Sequence, residues 1–201
     1  MPDTNRPFER AMTLAALSGL KIALGPAFLL SARNRPGSRN WVIGAMGEMV
    51  LDKLGVFPSR SRLPLLIPHT LAGAWVARES MKEDGVDDPW AAPMGAVVAA
   101  GVSTIAPMIR IVASKGLGIP DVLLALAEDY LALKLGTQAM GISMDQVTDV
   151  AREAFEEARE QVMPMYEEAR ERVMPLIEET RERIMPGHES SAVGTGTAPV
   201  L

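Results

Sequence analysis

Among the ionisable side chains inside otherwise apolar stretches of this chain, seven are candidates for chemistry: Lys21, Glu48, Asp52, Lys53, Arg110, Glu128 and Asp129. Glu48 and Asp52 are four residues apart, so on a helix they share one face. Glu128 falls near the middle of its segment, with Asp129 about 100° round the helix from it. A charge at the centre of a bilayer costs roughly 2.5–3.5 kcal/mol on insertion scales, so such groups face the interior of a bundle. Two kinds of chemistry follow. Carboxylates along a polar pathway bind a cation or relay protons, because burial raises a carboxylate pKa toward the working range. Alternatively, Lys21, Lys53 and Arg110 pair with the carboxylates and fix the register of the helices; Asp52, Lys53 and Lys134 could also snorkel at an interface.

The elements that carry these groups read as helices. The longest apolar run, Ala11–Ser31, contains Lys21 as its only charge and would extend about 31 Å as a helix, enough to cross a hydrocarbon core. It is too long for the apolar region of a signal peptide, and Gly25-Pro26 interrupts it. Further segments are Trp41–Phe57, Leu63–Val76 (broken by Pro68 and His69), Ala91–Ala113 (with Pro107 inside) and Pro120–Leu135. The first and fourth are apolar on every face and rich in small residues: Ala15, Ala16, Ser18, Gly19, Ala23 and Gly25 in one, Gly95, Ala96, Ala99, Ala100 and Gly101 in the other. Small residues that let backbones approach closely are a habit of membrane helices. A polytopic all-α membrane bundle of about five helices is expected, in the bacterial inner membrane, with the lipid bilayer as its partner. A soluble helical core is the competing reading of the shorter segments. Trp41, Trp75 and Trp90 lie near segment ends, where indoles anchor at headgroups. The acidic run Glu79, Glu83, Asp84, Asp87 and Asp88 reads as a solvated loop; it lacks the spacing of a calcium loop.

Composition removes other functions. Residues 1–144 carry a net charge of +2 and residues 145–201 a net charge of −7, giving −5 overall. No nucleic-acid partner is expected at that balance. Without cysteine there is no thiol catalysis and no cysteine-ligated metal, and two distant histidines leave little for a histidine site. No nucleophile elbow, His-Glu-x-x-His or P-loop occurs. Neither an enzyme nor a cofactor is expected.

Gly47–Gly55 and Glu128–Gly136 both place an acidic residue seven or eight positions before a final Lys-Leu-Gly. Segments one and two then resemble segments four and five, and the single helix between them would insert the second pair upside down. That is the inverted repeat of many transporters. With five spans and a cytoplasmic tail, the N-terminus would lie outside; equal counts of Lys and Arg on the two sides leave orientation open.

The series Gly47-Glu48, Asp52-Lys53-Leu54, Pro58-Ser59-Arg60, Pro64 and Gly73-Ala74 resembles the domain-of-unknown-function 4126 family of small bacterial multi-pass membrane proteins. Gly19-Leu20-Lys21 and Glu128-Asp129 are similar to its Gly-hydrophobic-Arg and Glu-Asp elements, over roughly residues 12–137. Lys21 stands where that family has Arg, and His69 where Arg is common. The resemblance implies membrane topology, not a mechanism.

The tail is a different polymer. Three units of an eleven-residue repeat run Glu156–Tyr166, Glu167–Ile177 and Glu178–Gly187. Apolar residues recur at Phe155, Ala158, Val162, Tyr166, Ala169, Val173, Ile177 and Ile184, with Thr180 filling one step. This spacing averages about 3.67 residues per turn and keeps the stripe nearly straight. Pro164 and Pro175 recur at one phase, opposite the stripe, and predict either one kinked helix or several short ones. Glu168–Arg172 and Glu179–Arg183 are favourable pairs. The expected organisation is a membrane domain over 1–144, an amphipathic repeat helix over 145–187 and a disordered end over 188–201. The repeat helix, through residues 150–187, is expected to self-associate or bind another protein. Two functions remain: a small transporter or channel-like protein using the intramembrane carboxylates, or a non-catalytic scaffold acting through its tail.

Overall fold

The computed structural model describes residues 5–53 and 63–184. These form seven α-helices: α1 (Asn5–Leu20), α2 (Leu24–Ala32), α3 (Ser38–Lys53), α4 (Leu63–Glu83), α5 (Ala91–Leu117), α6 (Asp121–Met140) and α7 (Met144–Ile184). No strand occurs among the described residues. The all-helical expectation is met, and α3 to α6 lie on the second to fifth apolar segments. The segment Pro58-Ser59-Arg60 and the end 188–201 lie outside the described residues. The chain divides into two compact units, Met1–Glu157 and Ala158–Leu201.

The run Ala11–Ser31 is not one spanning helix. It breaks after Leu20 and resumes at Leu24. Pro26 explains the position of the break. It has no N–H to give the Ile22 carbonyl, and it sits comfortably in the first turn of α2. The two pieces double back on each other. A Cβ placed on Gly25 would strike the Leu14 carbonyl and the Ser18 hydroxyl, contacts that a continuous helix would keep a turn or more apart. Both outer ends of this hairpin also meet the same acidic group. Arg10, near the start of α1, pairs with Asp84 at 2.7 Å, and Arg33, just after α2, lies 3.6 Å from Asp84 and 3.3 Å from Glu83.

Close backbone contact holds α1, α4 and α5 together. A Cβ on Gly73 would fall 2.8 Å from the Gly95 carbonyl and press on Ala99; one on Gly19 would fall 2.6 Å from the Ala99 carbonyl. Position by position, α1 runs against α4 (Arg10 beside Asp84, Ala15 beside Gly73, Ser18 beside His69) and therefore alongside α5. Segments one and four are thus parallel, where an inverted repeat needs them opposed, and α5 passes unbroken through Pro107 where α1–α2 turns back. The sequence likeness between these segments does not extend to their direction.

The hairpin also changes the order of the ends. The start of α1, the end of α2, the start of α3 and the end of α4 share one end of the body, marked by Arg10, Arg33, Arg35, Glu79, Glu83 and Asp84. The acidic run expected as a solvated loop is therefore partly structural. α4 continues to Glu83, whose side chain is only 8% exposed and lies 2.7 Å from Arg35. Trp41 of α3 stacks on Trp75 of α4 near this end, with centroids 6.2 Å apart.

In the second unit, α7 continues through both Pro164 and Pro175, so the tail is one helix and not a string of short ones. Glu168 and Arg172 form their expected pair at 2.6 Å. Val173 and Met174 are exposed there.

Candidate functional site

Lys21 occupies the turn of the α1–α2 hairpin and is 2% exposed, the largest fully buried side chain in the body. Its ammonium lies 2.9 Å from Asp52 Oδ2 on α3 and 3.3 Å from Asp129 Oδ1 on α6. Lys53 closes on the other oxygen of Asp129 and also donates to the Met49 carbonyl at 3.1 Å. Arg110, from α5, reaches Asp52 at 3.0 Å, Asp121 at 2.7 Å and the edge of Glu128 at 4.0 Å. Glu48 accepts a hydrogen bond from the backbone N–H of Ala23, at 3.1 Å. All seven residues singled out from the sequence meet in one cluster around the hairpin turn.

The turn leaves backbone groups of α1 and α2 without helical partners, and neighbouring helices supply them. His69 Nδ1 lies 2.7 Å from the Ser18 carbonyl, which fixes that nitrogen as the protonated one. Ser103 donates to the Gly19 carbonyl at 2.7 Å. The N-terminal end of α2 is met by Glu48, a carboxylate against the positive end of a helix. A broken backbone is tolerated in a dry interior only when its polar groups are satisfied in this way.

Sequence reasoning missed Asp121, the bidentate partner of Arg110, with both oxygens at 2.7 Å. Its signal was its place directly after Pro120, in the first turn of a helix. It also missed Ser103, and it gave His69 no partner. Of the three snorkelling candidates, Asp52 and Lys53 are partly buried in the cluster and Lys134 is exposed.

No protein-family model matches this chain, and no curated protein or solved structure matches it. The site is therefore read from its own chemistry. Among the described residues no group of three or more His, Asp or Glu side chains is arranged to hold a metal ion.

The surface has the opposite character. Val97, Ile105, Ile109 and Val112 of α5, Ile67 and Leu71 of α4, and Val122, Leu126 and Leu131 of α6 are exposed, while Lys21, Asp129, His69, Ser18 and Ser103 are buried. α5 is long and apolar enough to cross a membrane, the one such helix among the described residues.

Proposed function

We propose that the body is a multi-pass membrane bundle in which α3, α4, α5 and α6 cross and the α1–α2 hairpin enters and returns from one side, and that its charged centre is a pathway for a small cation or proton. One observation carries the reading. A lysine buried at the turn of a broken helix is held by carboxylates from two other helices, while the helix surfaces around it are apolar. In water this distribution is costly on both counts; in lipid both are expected. Transport proteins place ion sites at interrupted helices near mid-membrane. The depth agrees: the eleven residues between Arg10 and Lys21 rise about 16 Å, roughly half of a ~30 Å hydrocarbon core.

The hairpin supports one orientation. Arg6, Arg10, Arg33, Arg35, Arg39, Arg78 and Lys82 gather at the end that also starts α7, against Lys115 at the other. On the positive-inside rule this excess of positive charge supports an orientation in which the first end, with the starts of α1 and α7, faces the cytoplasm.

The scaffold reading has one observation in its favour: Lys21, Lys53 and Arg110 are each engaged by carboxylates at ion-pair distance, which would lock the helices. Reconstitution into liposomes holding a pH-sensitive dye separates the two. A transporter gives cation-driven or proton flux that Asp129→Asn and Glu48→Gln abolish and that deletion of 158–201 spares. A scaffold gives no flux with the full chain, and that result overturns the transport reading.

A further inference from the structure

A cavity lies apart from the charged cluster. It measures about 480 Å³, within the range of small-molecule sites, and is formed by α2, α3, α6 and the first turns of α7. Its wall is apolar: Leu24, Phe28, Val42, Met46, Met49 and Leu133 are the principal side chains. The polar groups are not scattered through it. Ser31 and Asn34, at the end of α2, and Gln146, Thr148 and Asp149, at the start of α7, gather at the end where the body also carries Arg33 and Arg35, which are themselves paired with Glu79, Glu83 and Asp84. Leu24 and Met49 mark the opposite end, toward the hairpin turn and the level of the bundle centre. The cavity is polar at one end and oily at the other, and it extends inward over about 10 Å, the rise from Leu24 to Ser31 on α2.

One atom in this wall lacks what it needs. The hydroxyl oxygen of Ser31 is buried and has no hydrogen-bond partner among the described residues. A buried hydroxyl left unpaired costs about 1–3 kcal/mol. A ligand oxygen at the polar end would remove that penalty.

We infer that this cavity binds one linear aliphatic chain ending in an uncharged oxygen head, an ester or a protonated carboxylic acid, since Asp149 lines the same end: the chain lies between Phe28, Met46, Met49 and Leu133, and the carbonyl oxygen of the head accepts a hydrogen bond from the Ser31 hydroxyl. Flexible methionine side chains suit a chain that has no fixed shape. The head points to the same end as Arg33 and Arg35, the direction an acyl chain takes in the leaflet on that side. A free fatty acid and one chain of a phospholipid share this chemistry. The inference rests on the fold and the cavity, not on transport.

The test is fluorescence titration of the detergent-solubilised full chain with cis-parinaric acid, a linear fatty acid that brightens in an apolar site. Saturable enhancement is expected, displaced by palmitate. Met46→Trp, which fills the cavity from a half-buried position, should abolish it while helical circular dichroism is unchanged. Ser31→Ala should weaken binding by about fivefold to tenfold, the worth of one hydrogen bond. Mass spectrometry of lipid extracted from the purified protein assigns the source: a stoichiometric phospholipid that Met46→Trp loses, or a free fatty acid. Non-saturable enhancement, or equal enhancement in wild type and Met46→Trp, overturns the inference. A flux assay that fails leaves these readings untouched, so the two accounts fail separately.

Discussion

Lys21 Nζ lies 2.9 Å from Asp52 Oδ2, joining the turn of a helical hairpin to a helix 31 residues on. With Asp129 on the other side of the same ammonium, this contact ties α1–α2, α3 and α6 at one point. The geometry fixes where the hairpin stops and brings the buried carboxylates together. Several consequences can be measured.

Removing one member of a buried ion pair leaves the other uncompensated, at a cost of about 3–5 kcal/mol. Lys21→Met leaves Asp52 with Arg110 and Asp129 with Lys53, so it is expected to destabilise the solubilised body by less than that amount in denaturant unfolding. Lys21→Met combined with Asp52→Asn should be less destabilised than the sum of the two single variants, by the Lys21–Asp52 coupling. A double variant as unstable as the sum of its parts would show that the pair does not couple.

Gly73 lies where a Cβ would press on Ala99 and on the Gly95 carbonyl, so Gly73→Ala must push α4 from α5. The expected loss is about 1–3 kcal/mol. Gly101 on the same pair of helices has nothing within 4 Å of its Cβ position. Gly101→Ala should be neutral, or stabilising by up to about 1 kcal/mol through helix propensity. Thermal unfolding of the two variants side by side gives the comparison, and equal effects would contradict the packing described.

Pro164 and Pro175 sit inside α7 at a cost of about 3 kcal/mol each relative to alanine. Replacing both with Ala should make the tail helix more resistant to proteolysis, with cleavage within 158–184 slowed and the body fragment unchanged. Unaltered cleavage would mean that the prolines do not limit this helix.

Much of the charged centre was legible in the sequence, because the cost of a charge in an apolar segment forces such residues to find one another. Lys21, Glu48, Asp52, Lys53, Arg110, Glu128 and Asp129 needed no structure to be grouped. The direction of the chain was not legible. A run of apolar residues long enough to span gives no sign of whether it continues or returns, and the local clues at Lys21 and Pro26 fit a kink as well as a turn. The contacts that decide it, Gly25 on Leu14 and Ser18, come from tertiary packing. The likeness of Gly47–Gly55 to Glu128–Gly136 held for direction only in part: α3 and α6 run in opposite directions, whereas α1 lies parallel to α5. In the tail, the eleven-residue period fixed both the helix and the Glu168–Arg172 pair, because those are local properties.

The sidedness of the first apolar run tests the central claim most directly. The chain has no cysteine, so single cysteines report without background. Glu9→Cys, Asn40→Cys and Lys115→Cys, each in sealed membrane vesicles, are treated with a membrane-impermeant maleimide. A hairpin places Glu9 and Asn40 on one face and Lys115 on the other, so the first two react together from one side and Lys115 only from the opposite side. Reaction of Glu9→Cys and Asn40→Cys from opposite faces would mean that residues 11–31 cross the membrane, and reaction of all three from either face would mean that the body does not reside in one.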